Sequence, residues 1–197
     1  MRLNTKADSE DNEYILSYLP KIKQETFTVG AVYRHYAGAH VQSAVVSHSY
    51  LNNRNVKYRD NDESSEENLT LRLGSIEQET KLRMENTSSW SVWKVKAGFD
   101  LNYSRYKSNE YRKVFANALR EYDYHTDLSL WRWGMFASVD YAAPDKSFTA
   151  SMGVRTDGNN YSDKMKELWR QLSPRLSVSY QLIEGLTLSG HVGLYYQ

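Results

Sequence analysis

Cysteine is absent from the 197 residues, which excludes disulfide frameworks, thiolate zinc sites and thiol nucleophiles. Acidic and basic side chains nearly cancel, with 25 Lys and Arg against 24 Asp and Glu, so the chain lacks the positive charge typical of nucleic-acid binding. No segment approaches the roughly 18 consecutive apolar residues of a membrane-spanning helix. We therefore expect no nucleic-acid partner and no spanning helix.

Motifs for catalysis and metal binding are also missing. The sequence contains no nucleophile elbow, no HExxH helix and no glycine-rich phosphate loop. His35 and His40 flank one predicted turn, but no cysteine or paired carboxylate completes a metal site of usual spacing. The acidic residues 60–67 begin like a calcium loop, yet Ser65 replaces the required glycine and Leu71 the bidentate glutamate. We expect no catalytic site, no metal site and no cofactor.

Aromatic residues are plentiful, with 16 tyrosines and five tryptophans, and some have a regular spacing. Trp93 and Tyr103 lie ten residues apart on one alternating segment, and Trp131 and Tyr141 repeat this spacing on the next. Ten strand residues span about 33 Å, which a tilt near 40° projects to about 25 Å. That is the height of a lipid-facing band, so we interpret these four residues as membrane-interface aromatics.

Alternation of apolar and polar residues recurs along the chain and predicts strands rather than helices. Between Trp93 and Tyr103 the apolar face carries valine, alanine, phenylalanine and leucine, whereas the other face carries lysine, glycine, aspartate and asparagine. We predict an all-β chain of about eight antiparallel strands, at residues 26–36, 40–52, 68–85, 90–105, 128–141, 148–154, 176–182 and 186–196.

The predicted connections alternate between short and long. Tight turns are predicted at residues 36–39, 86–89, 142–146 and 183–185, and long polar connections at residues 53–67, 107–125 and 157–172. This alternation is typical of transmembrane β-barrels, whose short turns are periplasmic. It places both ends of the chain on the extracellular side, so we expect a segment cut from a larger barrel. Residues 1–25 are then an extracellular loop or strand end, and residues 26–197 the partial barrel.

The residues from 172 to 182, Leu-Ser-Pro-Arg-Leu-Ser-Val-Ser-Tyr-Gln-Leu, and the following residues 185–197 resemble the barrel of TonB-dependent outer-membrane receptors. Residues 19–27 and 33–38 fit the same family. The resemblance implies a barrel of about 22 strands with a plugged lumen and energised uptake of a scarce ligand, such as an iron chelate, a cobalamin or a glycan. It also implies outer-membrane lipid, a plug domain and TonB as partners. No plug domain or TonB-binding box is recognisable here, so we expect regions outside this sequence to contribute them.

Candidate ligand-binding residues follow from this interpretation. Arg132, Arg155 and Arg175 belong to the polar faces of their strands, where they either contact ligand or plug or simply keep an inner wall hydrated. The other charged residues assigned to these faces are Lys94, Lys96, Asp100, Asp140 and Asp157. Trp169 belongs to a predicted short helix within residues 163–172, where it either stacks on a ligand or packs against a neighbouring loop.

Two other functions remain open from the sequence. One is a complete small outer-membrane barrel with a structural or adhesive role and no transported ligand. The other is a soluble β-sandwich that binds carbohydrate through exposed aromatic residues. The sandwich requires two stacked sheets that bury the apolar faces, whereas either barrel requires one sheet that exposes them.

Overall fold

The computed structural model describes residues 19–115 and 118–195, with Phe115 described only for its backbone. The all-β prediction is confirmed, because eight antiparallel strands form one sheet in the order of the chain, from β1 to β8. β1 and β8 stand at the two ends of this order. The strands are β1 Lys21–Ala37, β2 His40–Tyr58, β3 Leu69–Trp90, β4 Trp93–Phe115, β5 Leu119–Ala142, β6 Phe148–Asn159, β7 Ser173–Ile183 and β8 Leu186–Gly193.

An apolar core is nearly absent from the described residues, where Leu69 is the one buried hydrophobic side chain. The large apolar residues that the alternation assigns to one face are instead exposed: Trp93 by 48%, Phe99 by 39% and Val178 by 42%. A β-sandwich buries such residues between two sheets. One sheet with an exposed apolar face therefore contradicts the sandwich alternative.

The predicted long connection at residues 107–125 is wrong. β4 continues to Phe115 and β5 begins at Leu119, so most of that segment is strand. Charged residues occur on both of its faces and pair across the two strands, as Lys113 does with Glu121 at 3.7 Å. Alternation of polarity marks a strand only where its two faces meet different environments, so this extension gave no such signal.

The turn predicted at residues 86–89 is also wrong, because β3 continues to Trp90 and the chain reverses at Ser91 and Val92. Ser91 takes the positive φ of 42°. Asn86 and Ser88 resemble turn residues in the sequence, but their side chains hydrogen-bond to each other at 2.9 Å within the strand. Local turn propensity is thus overridden by pairing in the sheet.

The long connections are shorter than predicted at several ends. β1 begins at Lys21 and β2 reaches Tyr58, after which the 3-10 turns Arg59–Asn61 and Glu66–Asn68 lead to β3. The predicted boundary at residue 25 depends partly on residues 1–18, which lie outside the described residues, and it stays a prediction. The β6–β7 connection spans residues 160–172.

The helix predicted within residues 163–172 forms as two short pieces. The α-helix α1 covers Asp163–Lys166 and a 3-10 turn covers Leu168–Gln171. Glu167 separates them because its φ of −81° and ψ of 94° are extended. None of the helical segments in the described part of the chain has the length and apolar character needed to cross a bilayer.

The residue contacts divide the chain into two units. Of the described residues, one unit contains 19–29, 48–79, 104–115 and 118–129, and so holds the β2–β3 connection. The other contains residues 30–47, 80–103 and 130–195, and so holds the tight turns and the β6–β7 connection.

The tight turn between β7 and β8 generates a prediction. Gly185 has a φ of +84°, which an L-residue adopts at a cost of roughly 1–2 kcal/mol. Gly185→Ala should lower the free energy of unfolding by about that amount, measured by urea unfolding in detergent micelles. Gly190→Ala is the control, since its added Cβ also meets no atom within 4 Å and its φ is not positive. Equal destabilisation by both variants would contradict this account.

Candidate functional site

Two aromatic pairs mark the apolar face of β4 and β5. The rings of Trp93 and Tyr141 have centroids 4.8 Å apart, and those of Tyr103 and Trp131 are 4.7 Å apart. We call these pairs the aromatic rungs. Each strand contributes one residue to each rung. The two rung residues of a strand lie ten positions apart, which is about 33 Å of strand. The ten-residue spacing noted in the sequence on each of the two strands therefore belongs to the same two aromatic rungs.

The polar face of the same region carries a connected group of charges, which we call the arginine cluster: Arg83, Glu85, Asp100, Arg155 and Asp157. Arg155 donates to Asp157 from Nε at 2.7 Å and to Asp100 from Nη2 at 2.7 Å. Arg83 donates to the other oxygen of Asp100 at 2.8 Å and to Glu85 at 3.1 Å. Two guanidinium groups and three carboxylates leave the cluster with a net negative charge.

Two glycines provide space for the arginine cluster and for the Phe136 ring beside it. A Cβ on Gly134 would lie 2.5 Å from Asp157 Oδ1, 2.7 Å from Asp100 Oδ2 and 2.8 Å from Arg155 Nη2. A Cβ on Gly98 would collide with the carbonyl oxygen of Met84 and with the ring of Phe136. The guanidinium of Arg83 lies over that ring at 4.7 Å from its centroid, a cation–π contact. The cluster thus depends on small residues beneath it.

Two concave regions, both lined in part by residues of the cluster, contain the three predicted arginines. A cavity of about 540 Å³ is lined by Arg132 and Arg155 together with Asp100 and Asp157. A second, of about 520 Å³, is lined by Arg155 and Arg175. Arg175 also stacks on Tyr195, with its Cζ 4.7 Å from the ring centroid. The structure therefore brings Arg155 together with each of the other two.

Trp169 is separate from this group, since it lines neither cavity. Its side chain is 84% exposed, so the packing role considered from the sequence is not observed. The preceding residue Leu168 makes the local contact instead, because its carbonyl oxygen accepts a hydrogen bond from Thr156 Oγ1 at 2.5 Å. Trp169 is consequently available to solvent.

The carboxylates of the connections are held in their ionised form by local donors. Lys166 lowers the pKa of Asp163 by a hydrogen bond and by its charge. The hydroxyl and the backbone N–H of Ser147 lower the pKa of Asp145, and Ser64 does the same for Asp62. These groups order turns and do not form an acid–base pair.

No cluster of three potential metal-ligating side chains occurs within residues 19–115 and 118–195. His40, which the sequence sets near His35, contacts Ser88 Oγ through Nδ1 at 2.7 Å. Its ring also packs edge-on against Trp90 at 5.8 Å. His40 is thus engaged in hydrogen bonding and aromatic packing.

Two important residues were missed from the sequence. Arg83 follows Leu82 on the face opposite the apolar residues of β3, and that parity was a usable signal. Phe136 shares the parity of Arg132 and Asp140 on β5, so it was recognisable as an aromatic residue on a polar face. Neither Gly98 nor Gly134 could be assigned a role without coordinates, since their neighbours come from other strands.

Comparison with known proteins identifies the family. Residues 3–197 match the family described as "TonB dependent receptor-like, beta-barrel". The chain belongs to this family. The resemblance stated from the sequence is confirmed, and with it the assignment of the chain to a transmembrane barrel fold.

A solved structure titled "Copper transporter OprC" is similar to this chain with a TM-score of 0.61 and 15% sequence identity. At that identity the likeness establishes the fold alone. The match covers 88% of this chain and 31% of the other, so the chain spans less than a third of that transporter's length. No curated protein matches the sequence.

The arginine cluster generates a prediction about the barrel wall. Gly134→Ala places a methyl group among three ion-paired atoms and should destabilise the protein by about 1–3 kcal/mol through overpacking. Gly153→Ala is the matched control, because its Cβ would meet its nearest atoms at 3.4 Å. Urea unfolding of detergent-refolded protein measures both. A loss for Gly153→Ala as large as that for Gly134→Ala would show that the cluster is not the cause.

Proposed function

We propose that this chain forms part of the wall of a TonB-dependent receptor in the outer membrane, one that imports a scarce ligand. The supporting observation is a single sheet whose large apolar side chains are exposed on one face while paired charges occupy the other. Water does not stabilise such an apolar face, whereas acyl chains do. The aromatic rungs then lie at the two interfaces of the bilayer.

In this orientation the arginine cluster faces the lumen. Arg132, Arg155 and Arg175 line its cavities, where they contact the ligand or the plug domain of the whole receptor. Trp169 lies in the connection between β6 and β7, on the extracellular side, and meets the ligand first. Import is driven through TonB by regions outside this sequence, and the ligand belongs to the iron-chelate, cobalamin or glycan class.

The lipid-facing assignment is tested by arginine substitutions. Ala97 is exposed and lies between the aromatic rungs on β4, so Ala97→Arg should hinder membrane insertion, at a cost of about 2–4 kcal/mol near the bilayer midplane. Val178→Arg should act in the same direction, and Ser177→Arg, on the opposite face of the same strand, should be tolerated. Heat-modifiable mobility of the outer-membrane fraction measures insertion. Equal tolerance of all three substitutions would contradict the orientation.

The transport role is tested in cells from which the gene has been deleted. These cells are given a radiolabelled ferric chelate, cyanocobalamin or a maltooligosaccharide. They should fail to take up one of the three probes, and the intact gene should restore its uptake. The restored uptake should also disappear when the proton-motive force is dissipated. Trp169→Ala should raise the half-saturating concentration of the affected probe, while Tyr161→Ala, equally exposed in the same connection, serves as the control. Unchanged uptake of all three probes would contradict import of these ligand classes.

A further inference from the structure

β5 is much longer than the strand that follows it. β5 begins at Leu119, but its pairing with β6 begins at Arg132, which lies opposite Asn159 at the end of β6. On one side, residues 119–129 of β5 face β4, as the contact of His125 with Asn109 shows. On the other side no strand of the described residues pairs with them. We call this segment the open edge.

The direction of the backbone N–H and C=O groups along the open edge follows from the contact of Trp131, two residues beyond it, with Asn160. The N–H of Trp131 donates to Asn160 Oδ1 at 2.9 Å, and the carbonyl of Trp131 accepts from the N–H of Asn160 at 3.1 Å. Both groups of Trp131 therefore point towards the β6 side. Because this direction alternates along a strand, the residues that aim both groups at the open side are Glu121, Asp123, His125, Asp127 and Ser129.

Unpaired strand backbone is a template for another extended chain. Five consecutive alternate residues offer one donor and one acceptor each, over about 26 Å of strand. Ligands such as sugars or chelates do not match this repeat of donors and acceptors, because they lack regularly spaced amide groups. The geometry therefore fits a polypeptide in β conformation.

The side chains of the open edge define what that polypeptide carries. Glu121, Asp123 and Asp127 share one face of the open edge. On its β4 side Glu121 pairs with Lys113 at 3.7 Å, and Asp127 pairs with Arg105 at 3.0 Å and with Lys107 at 3.4 Å, so an incoming strand would supply cations on the opposite side. Directly opposed residues on paired strands lie about 5 Å apart, close enough for unlike charges to attract. Lysine or arginine at alternate positions of the incoming strand would complement these carboxylates.

The other face of the open edge carries aromatic and apolar residues between Arg120 and Leu128. The rings of Tyr122 and Tyr124 are nearly parallel, with centroids 6.0 Å apart and planes 6° apart. Tyr124 and Leu128 are largely exposed. Apolar residues on the second face of an incoming strand would cover them.

A second copy of this chain is a poor occupant. If two open edges pair antiparallel about His125, Asp123 of each copy faces Asp127 of the other. Like charges directly opposed on paired strands are destabilising. The occupant is therefore a different polypeptide.

From this geometry we propose that the open edge of β5 is a docking site for an extended segment of another protein, with basic residues on one face and apolar residues on the other, which adds to the sheet as a strand. This partner surface does not depend on the identity of the imported ligand.

Binding of a defined peptide to the detergent-solubilised protein tests the proposal. The probe is a fluorescent ten-residue peptide of alternating lysine and valine, compared with the same peptide methylated at alternate backbone nitrogens and with a glutamate–valine version. The unmodified lysine peptide should bind at least about tenfold more tightly than either of the others, since each loss of about 1.4 kcal/mol is tenfold in affinity. Equal binding of the methylated peptide, or no binding of the lysine peptide, would overturn strand addition.

A matched pair of variants at one position isolates the backbone contribution. His125→Ala and His125→Pro both remove the contact with Asn109, but only proline removes the N–H that points to the open side. His125→Ala should retain peptide binding, and His125→Pro should weaken it about tenfold or more. Equal affinity of two folded variants would overturn the proposal, and if His125→Pro does not fold, the methylated peptide still decides.

Charge and self-association complete the test. Asp123→Lys should weaken binding of the lysine peptide and strengthen binding of the glutamate peptide. Because Asp123 lies outside the aromatic rungs and the tight turns, this substitution should leave both unaffected. Sedimentation of the protein without peptide should show no dimer that depends on the open edge, that is, no dimer that is lost in His125→Pro. Such a dimer would overturn the assignment to a different polypeptide and identify a second copy as the occupant.

Discussion

The backbone hydrogen-bond ladder is the interaction on which the rest of this structure depends. A water-soluble protein gains most of its stability by burying apolar side chains, but within the described residues only Leu69 is a buried hydrophobic side chain. Eight strands in sequential order pair each inner strand on both sides. In the proposed membrane setting this pairing is obligatory, because hydrocarbon offers no partner to an unpaired amide. The side chains then need only be apolar where they face lipid and polar where they face water.

Order on the polar face comes from charge and from small residues. Arg155 is held by two carboxylates and Arg83 by two, with Asp100 shared between them. Partly exposed ion pairs contribute little singly, but bidentate and shared pairs fix side-chain geometry. Gly134 allows these groups to approach one another, and Gly98 leaves room for the Phe136 ring that Arg83 covers. An anionic ligand that reaches Arg155 must therefore compete with Asp100 and Asp157, so this arginine contributes geometry to the wall in addition to positive charge.

The fold could be predicted where the two faces of a strand differ. The ten-residue spacing of Trp93 and Tyr103 and of Trp131 and Tyr141 foreshadowed two rungs whose rings now lie under 5 Å apart. Prediction failed at residues 107–125, where both faces carry charged residues, and at residues 86–89, where Asn86 and Ser88 have turn-like composition but hydrogen-bond to each other within β3. The arginine cluster could be predicted only as a list of polar-face residues, because its contacts join β3, β4 and β6, and a single strand's pattern contains no information on such long-range neighbours.

The uneven lengths of the strands follow from the same requirement for backbone pairing. β4 has 23 residues and β5 has 24, but β6 has only 12. β6 ends opposite Arg132, and Asn160 then caps Trp131, a residue of one aromatic rung. The β5–β6 ladder is therefore complete between the rungs and stops at one of them. In the proposed orientation this rung is where hydrocarbon gives way to water, and beyond it an unpaired amide can be hydrated. An open edge on β5 is thus permitted only outside the rungs, where another polypeptide can also reach it.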